Sequence, residues 1–407
     1  MTNVRTIDEP LFTQLLDLAA DLVACGADVN LVESSLDRLG AAYGMERTDA
    51  FVLTSTMSVT MRDAQGNVLS QSRRTPTAMS NNFAKLERLN ALCMRCCEDR
   101  LSAEQVKAEL TAIRSVAVNR VMLYLGSVLA AGTFAAFFGG GVLDALVAAV
   151  FAVVICVLSE RVKPYCPNEI VFNFIASLVC GLGICMCVRV VPALHGDMIV
   201  IGDIMLLIPG IAITNAMRDM LAGDTGSGAL RLLEALLWTA ALALGFMVAI
   251  AAIGVDVDPV SEPQVAVQLA MALPASLGFA LMFNLRPRLL AVASVGGLLT
   301  WAVYLLCGLA FADDFFPCFI ASAFAAVYAQ VLAGVNKAPI SIFYIICEIP
   351  LIPGRGLYYT VLNAVQGNWE VAQSFGLMTV EFVTAIAFGI GIAWALTEII
   401  RRLRVRG

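Results

Sequence analysis

Charge is scarce in this chain. Asp, Glu, Lys and Arg make up 14% of 407 residues, and there is one histidine. Several classes of function fall away at once. A net charge of −6 over this length offers no basic surface, so nucleic acid is not an expected partner. With a single histidine, the twelve cysteines lack the ligands that usually complete a zinc site. Cys93, Cys96 and Cys97 have helical spacing but no second cluster, while Cys156, Cys180, Cys185, Cys307 and Cys318 lie singly in apolar runs, as small hydrophobes do. No metal and no cofactor are expected. The Gly-Lys-Ser/Thr phosphate loop is missing, so nothing supports ATP drive. Nucleophile elbows and metal-protease motifs are missing too. The start of the chain, with Asp8, Glu9 and Pro10, has no apolar run of the signal-peptide kind.

What is abundant is apolar sequence. The chain is 59% hydrophobic, with a mean hydropathy of +0.83. Those values belong to polytopic membrane proteins. Residues 1–115 hold much of the charge and read as a small α+β domain. Leu11, Leu15, Leu18 and Leu22 form one helical stripe, broken at Gly26, and Val32, Leu36 and Leu39 form another. Phe51 to Met61, the turn 63–67 and Val68 to Arg74 read as a hairpin. Phe83 to Ala117 returns to helix, interrupted by a cap at Ser102-Ala103-Glu104.

From 116 onward the apolar runs are long enough to span a bilayer. The expected spans are 116–138, 142–158, 168–191, 197–221, 229–254, 264–283, 288–311, 314–334, 338–366 and 372–399. Basic residues set the orientation. With residues 1–115 cytoplasmic, inner loops carry Arg161, Lys163, Arg218, Arg231, Arg286, Arg288 and Lys337, followed by the tail arginines 401, 402, 404 and 406. Outer loops carry Asp256, Asp258, Glu262, Asp313 and Asp314, with Arg189 and Arg355 as basic exceptions. Both termini are therefore expected on the cytoplasmic side.

The chain also contains one stretch twice: Leu207-Ile208-Pro209-Gly210 and Leu351-Ile352-Pro353-Gly354, 144 positions apart. Gly223 and Gly245 recur as Gly367 and Gly389 at that offset, and 174–177 recurs as 319–322 at an offset of 145. The fold expected is an α-helical polytopic membrane protein of about ten transmembrane helices. These form two five-helix repeats, 116–254 and 264–400, with a basic tail at 401–407. Because five is odd, the repeats are inverted. At 1.5 Å per residue, Pro209 and Pro353 lie roughly 18 and 22 Å into their spans, near the middle of a ~30 Å core.

A break at that depth exposes carbonyls before it and amides after it, and the following half-helix favours a carboxylate. Candidate substrate-binding residues are Pro209, Gly210, Thr214 and Asn215 in one half, and Pro353, Gly354, Tyr358 and Tyr359 in the other. Asn173 and Ser177 join them, sharing a helix face with Glu169 at i, i+4 and i+8. Intramembrane carboxyls are usually functional; Asp203, Glu348 and Glu169 are the proton-coupling candidates. Arg218, Asp219 and Asn363 are further polar groups near the breaks, with Arg218 and Asp219 readable as an ion pair at the inner interface. The membrane helix bundle equally allows plain proline kinks and helix–helix hydrogen bonds.

The stretch from Leu207 to Asp224, with Gly228 to Leu237, resembles the bacterial threonine/serine exporter family. So do Gly26-Ala27-Asp28, Val32-Glu33 and Leu36-Asp37-Arg38-Leu39, although Leu31 stands where the family pattern has Arg. Ile349 to Tyr358 resembles the family's second half, which in some bacteria is a separate subunit. The resemblance implies a multi-pass protein of the bacterial inner membrane that exports small hydroxy amino acids, driven by the proton gradient. Its partners would be an amino acid, protons and the lipid bilayer, with a homo-oligomer left open. Two alternatives stand beside this: export of small dicarboxylates, and a membrane-anchored hydrolase working near Asp28, Glu33, Thr54 and Thr56.

Overall fold

The computed structural model describes residues 7–53, 55–75, 82–221, 223–254 and 263–406. Thr54, Asp256, Asp258 and Glu262 lie outside the described residues, as do the side chains of Arg218 and of residues 400–406. Helix α1 (Glu9–Ala24) opens on Asp8, whose carboxylate accepts the Leu11 amide at 2.9 Å. The leucine stripe at 11, 15, 18 and 22 is buried. Gly26, at φ +89°, turns the chain into α2 (Val29–Ala42), capped in the same way by Asp28 on the Leu31 amide.

Three antiparallel strands follow in the order β1 (Met45–Val52), β2 (Thr56–Asp63) and β3 (Val68–Arg74). Asp63 shapes the β2–β3 turn by accepting the Gln65 and Asn67 amides. The sequence pattern merged Phe51 to Met61 into one strand. Instead β1 ends at Val52 and a turn closed by Leu53 N to Thr56 O (2.8 Å) reverses the chain. Helices α3 (Phe83–Asp99) and α4 (Ala103–Arg114) complete this part. The α4 capping box pairs Ser102 with Gln105, not with Glu104.

Among the described residues, eight later helices are long and apolar enough to cross a membrane. In the first half these are α5 (Arg120–Phe137), α6 (Val142–Arg161), α7 (Glu169–Val190) and, after two shorter helices α8 (Gly196–Leu207) and α9 (Gly210–Leu221), α10 (Thr225–Ile253). The second half holds α11 (Val265–Met282), α12 (Pro287–Gly308), α13 (Phe315–Asn336), the short α14 (Ser341–Glu348) and α15 (Gly354–Gln366), and α16 (Trp369–Arg406). A 3₁₀ turn, Ile349–Leu351, follows α14. The runs 197–221 and 338–366 are thus each a pair of helices.

Small residues set the packing. A Cβ on Gly126 of α5 would lie 2.5 Å from the Gly278 carbonyl of α11, and one on Gly278 would lie 2.6 Å from the Ala130 amide. Gly126 also faces Met282, so α5 and α11 run antiparallel at backbone contact. On α10, a Cβ at Gly245 would meet the Phe174 carbonyl of α7 at 2.6 Å. On α16, a Cβ at Gly389 would meet the Phe319 carbonyl of α13 at 2.7 Å. Helix α9 packs on α16, and α15 packs on α10.

The described residues of 7–114 dock on one end of these helices. Phe83 donates its amide to Phe283 O at 2.9 Å, and their rings lie 5.1 Å apart. Arg286 pairs with the buried Glu87 at 2.9 Å. The β1–β2 corner is gripped from both sides: Val52 donates its amide to Glu33 (3.2 Å), and Ser227 of α10 donates its hydroxyl to Val52 O (2.9 Å). Burial pushes the Glu33 carboxyl up from its ordinary 4.5 to about 7; the charges of Asp224, Asp37 and Asp219 add to this, and the Val52 amide opposes it. The folded arrangement at this corner therefore favours the protonated carboxyl. Its contribution is fullest below the ordinary value and is lost as pH rises through about 7. Hydrogen exchange at the β1–β2 corner, corrected for intrinsic rate, should show protection at about pH 6 that fades by about pH 8, with Glu33→Gln keeping it. Equal protection at both pH values would contradict this.

Candidate functional site

Both breaks have the same backbone. Ile208 and Ile352 are extended, at φ −70°, ψ 136° and φ −62°, ψ 120°. Proline then removes a donor. Gly210 donates to Ile208 O at 2.9 Å, and Gly354 donates to Ile352 O at 2.8 Å. Each new helix starts on the proline carbonyl, through Ile213 to Pro209 and Leu357 to Pro353, both at 3.0 Å. The two breaks also touch. A Cβ on Gly210 would lie 2.8 Å from Ile352 Cγ2, and one on Gly354 would lie 2.6 Å from Met205 Sδ and 3.4 Å from Ile208 Cδ1.

A cavity of about 230 Å³ reaches this point from the docked end, running from Gly26 and Lys163 to Pro209, Gly210 and Ile352. Its polar lining includes Ser127, Ser159, Glu169, Asn173, Asn215 and Arg231. Asn215 Oδ1 accepts the Tyr344 hydroxyl at 2.6 Å. Glu169 pairs with Lys163 at 2.8 Å, and Lys163 also sits 5.6 Å over the Phe172 ring.

Of the sequence candidates, Pro209, Gly210, Asn215, Asn173 and Glu169 line this cavity. Ser177 is buried elsewhere, its hydroxyl donating to Asn173 O of its own helix. Thr214, whose hydroxyl donates to Gly210 O, borders with Pro353 and Gly354 a void of about 10 Å³ between the breaks. Tyr358 and Tyr359 lie on the far side, within an aromatic cluster. Phe246 meets Tyr358 at 6.2 Å, Tyr358 meets Tyr359 at 5.4 Å, and Tyr359 stacks on Phe375 at 4.9 Å. Asn363 donates to the Tyr359 carbonyl at 2.8 Å.

Asp203 is fully buried, and neither carboxyl oxygen has a hydrogen-bond partner among the described residues. Glu348 is buried and accepts from Ser322 Oγ at 2.9 Å, and the same Oγ lies 2.9 Å from Ile386 O on α16. Neither carboxylate borders the cavity.

Asp219 lies 3.2 Å from Arg231 of α10; the side chain of Arg218, its expected partner, lies outside the described residues. Arg231 is not the loop residue expected: it is 1% exposed, two turns into its helix. The 144-residue offset contains the signal that was missed, since it sets Arg231 against Phe375, Asn215 against Tyr359 and Asp219 against Asn363. A charged group stands in one half where the other has a ring. In the first part of the chain, Asp28 caps α2, Glu33 holds Val52, and Thr56 donates to Arg73 O, so each has a structural task.

A family model for threonine/serine exporters matches residues 14–253, and a second threonine/serine exporter model matches residues 268–396. Neither the curated proteins nor the solved structures gave a match.

Proposed function

The chain belongs to the threonine/serine exporter family, and we propose that it exports small hydroxy amino acids by alternating access around its two Pro-Gly breaks. The observation that carries this reading is the meeting of Gly210 and Ile352 in the lining of a cavity that runs from the docked end to the breaks. Counting α8 with α9 and α14 with α15 as single crossings makes ten crossings in two inverted halves. The antiparallel contact of α5 with α11 supports this, as do the like contacts of Gly245 of α10 with α7 and of Gly389 of α16 with α13.

Residues 1–115 are then a cytoplasmic α+β domain over the inner mouth, regulating rather than transporting. The chain sits in a bacterial inner membrane with both termini on the cytoplasmic side. The cavity faces that domain, so this is the inward-open arrangement, ready to load from the cytoplasm. Tyr358, Tyr359, Phe246 and Phe375 form the outer gate, and these rings must part for release. Inward proton flow drives export through Asp203 and Glu348, with Glu169 near the inner mouth as the third coupling candidate.

Counterflow tests the proposal. Purified protein in liposomes preloaded with L-serine should accumulate labelled L-serine without altering it chemically, and preloading with succinate should give none. Absence of serine counterflow, or chemical conversion without transport, would overturn it.

A further inference from the structure

We infer that Arg231 is the carboxylate anchor of the cavity and that the cavity is built for a zwitterion, an inference that rests on the exporter reading above. Arg231 lies in the cavity wall beside Asn215, 1% exposed, with Asp219 of the neighbouring helix 3.2 Å away. A guanidinium among membrane helices is costly, and one that faces a cavity marks a ligand path. Its planar fork has five N–H donors, enough to hold a second carboxylate while keeping the first.

The second half shows what the fold alone requires at this place. At the position equivalent to Arg231 stands Phe375, and at the position equivalent to Asn215 stands Tyr359, the two rings stacked at 4.9 Å. An aromatic pair serves the packing there. At this position a cation stands only in the first half, where it lines the cavity; the second half instead has Arg355 over the Tyr359 ring, away from the cavity lining.

Charge balance then selects the ligand class. The other ionised groups of the lining, Lys163 and Glu169, hold each other at 2.8 Å. With Asp219 beside Arg231, the charged groups among the described lining residues fall into two pairs of opposite charge. A zwitterion adds no net charge: its carboxylate goes to Arg231, and its ammonium finds Asn215, Asn173 and the Glu169 carboxylate along the same wall. A dicarboxylate would bring two negative charges, and the described lining residues offer no further cation to meet the second.

Calorimetric titration of the purified full-length protein with L-serine, L-serinamide and succinate tests this. The wild type should bind L-serine, bind serinamide at least about tenfold more weakly, and ignore succinate. Arg231→Gln alone strands a buried Asp219, so the informative variant combines it with Asp219→Asn, keeping the pair neutral. That double variant should lose L-serine affinity by roughly 30-fold or more and no longer distinguish serine from serinamide. If it melts like the wild type and binds L-serine as tightly, the anchor is elsewhere while the exporter reading stands. If the wild type binds serinamide as well as serine, the inference fails without any variant. If it binds succinate and not L-serine, both readings fail.

Discussion

Glu348→Gln is expected to abolish export driven by a pH difference while leaving serine exchange at equal pH intact. The reason lies in one hydroxyl. Ser322 Oγ stands 2.9 Å from Glu348 Oε1 and 2.9 Å from the Ile386 carbonyl of α16, and it has a single proton to give. With Glu348 ionised, Ser322 donates to the carboxylate. With Glu348 protonated, the carboxyl donates to Ser322, which is then free to donate to Ile386 O. Protonation is thus read directly by α16, the helix that carries α9 on its face and meets α13 at Gly389. Gln keeps the shape and can donate, but it fixes one of the two arrangements. Asp203→Asn is expected to act alike, because an anion at Asp203 has no hydrogen-bond donor among the described residues. For one proton per substrate, one pH unit supports about a tenfold serine gradient, and in either variant that ratio should fall to unity. Liposomes with an imposed pH difference provide the measurement. If both variants still concentrate serine, coupling runs through another group, with Glu169 next.

The breaks were legible in the sequence because their cause is local. Proline lacks an amide whatever surrounds it, so Pro209 and Pro353 end α8 and the turn after α14 where the composition places them. Arg231 was not legible, and the reason is the glycine-rich run before it. Thr225-Gly226-Ser227-Gly228 reads as loop by composition, which moved the expected start of α10 to 229 and left Arg231 near an interface. In the fold these residues are helical. Gly228 is there for close approach, since a Cβ would lie 2.5 Å from Ala216 O of α9, and Ser227 is there to hold Val52. Strand β1 was hidden differently. Its residues Glu46, Arg47 and Asp49 face outward on the edge of the sheet, so no apolar alternation marks it. Partners such as Tyr344 for Asn215 depend on the crossing of two halves 129 residues apart, which no local pattern encodes.

The contact between the breaks leads to the second large effect. Exchange between inward- and outward-open arrangements needs α9 to slide on α16 and α15 on α10, so the loops at Gly210 and Ile352 must move past each other. Replacing both with cysteine should pin them. The Cβ position at 210 is 2.8 Å from Ile352 Cγ2, and removing the isoleucine branch leaves room for sulfur within the Cβ separation that a disulfide needs. Gly210 is not among the residues at positive φ, so cysteine fits its backbone. The measurement is L-serine counterflow by Gly210→Cys with Ile352→Cys, in a background whose native cysteines are replaced, before oxidation, after it and after reduction. The account predicts a cross-link that forms readily, stops counterflow completely and releases it again on reduction. A pair that never cross-links, or a cross-linked protein that transports at its unoxidised rate, would contradict it.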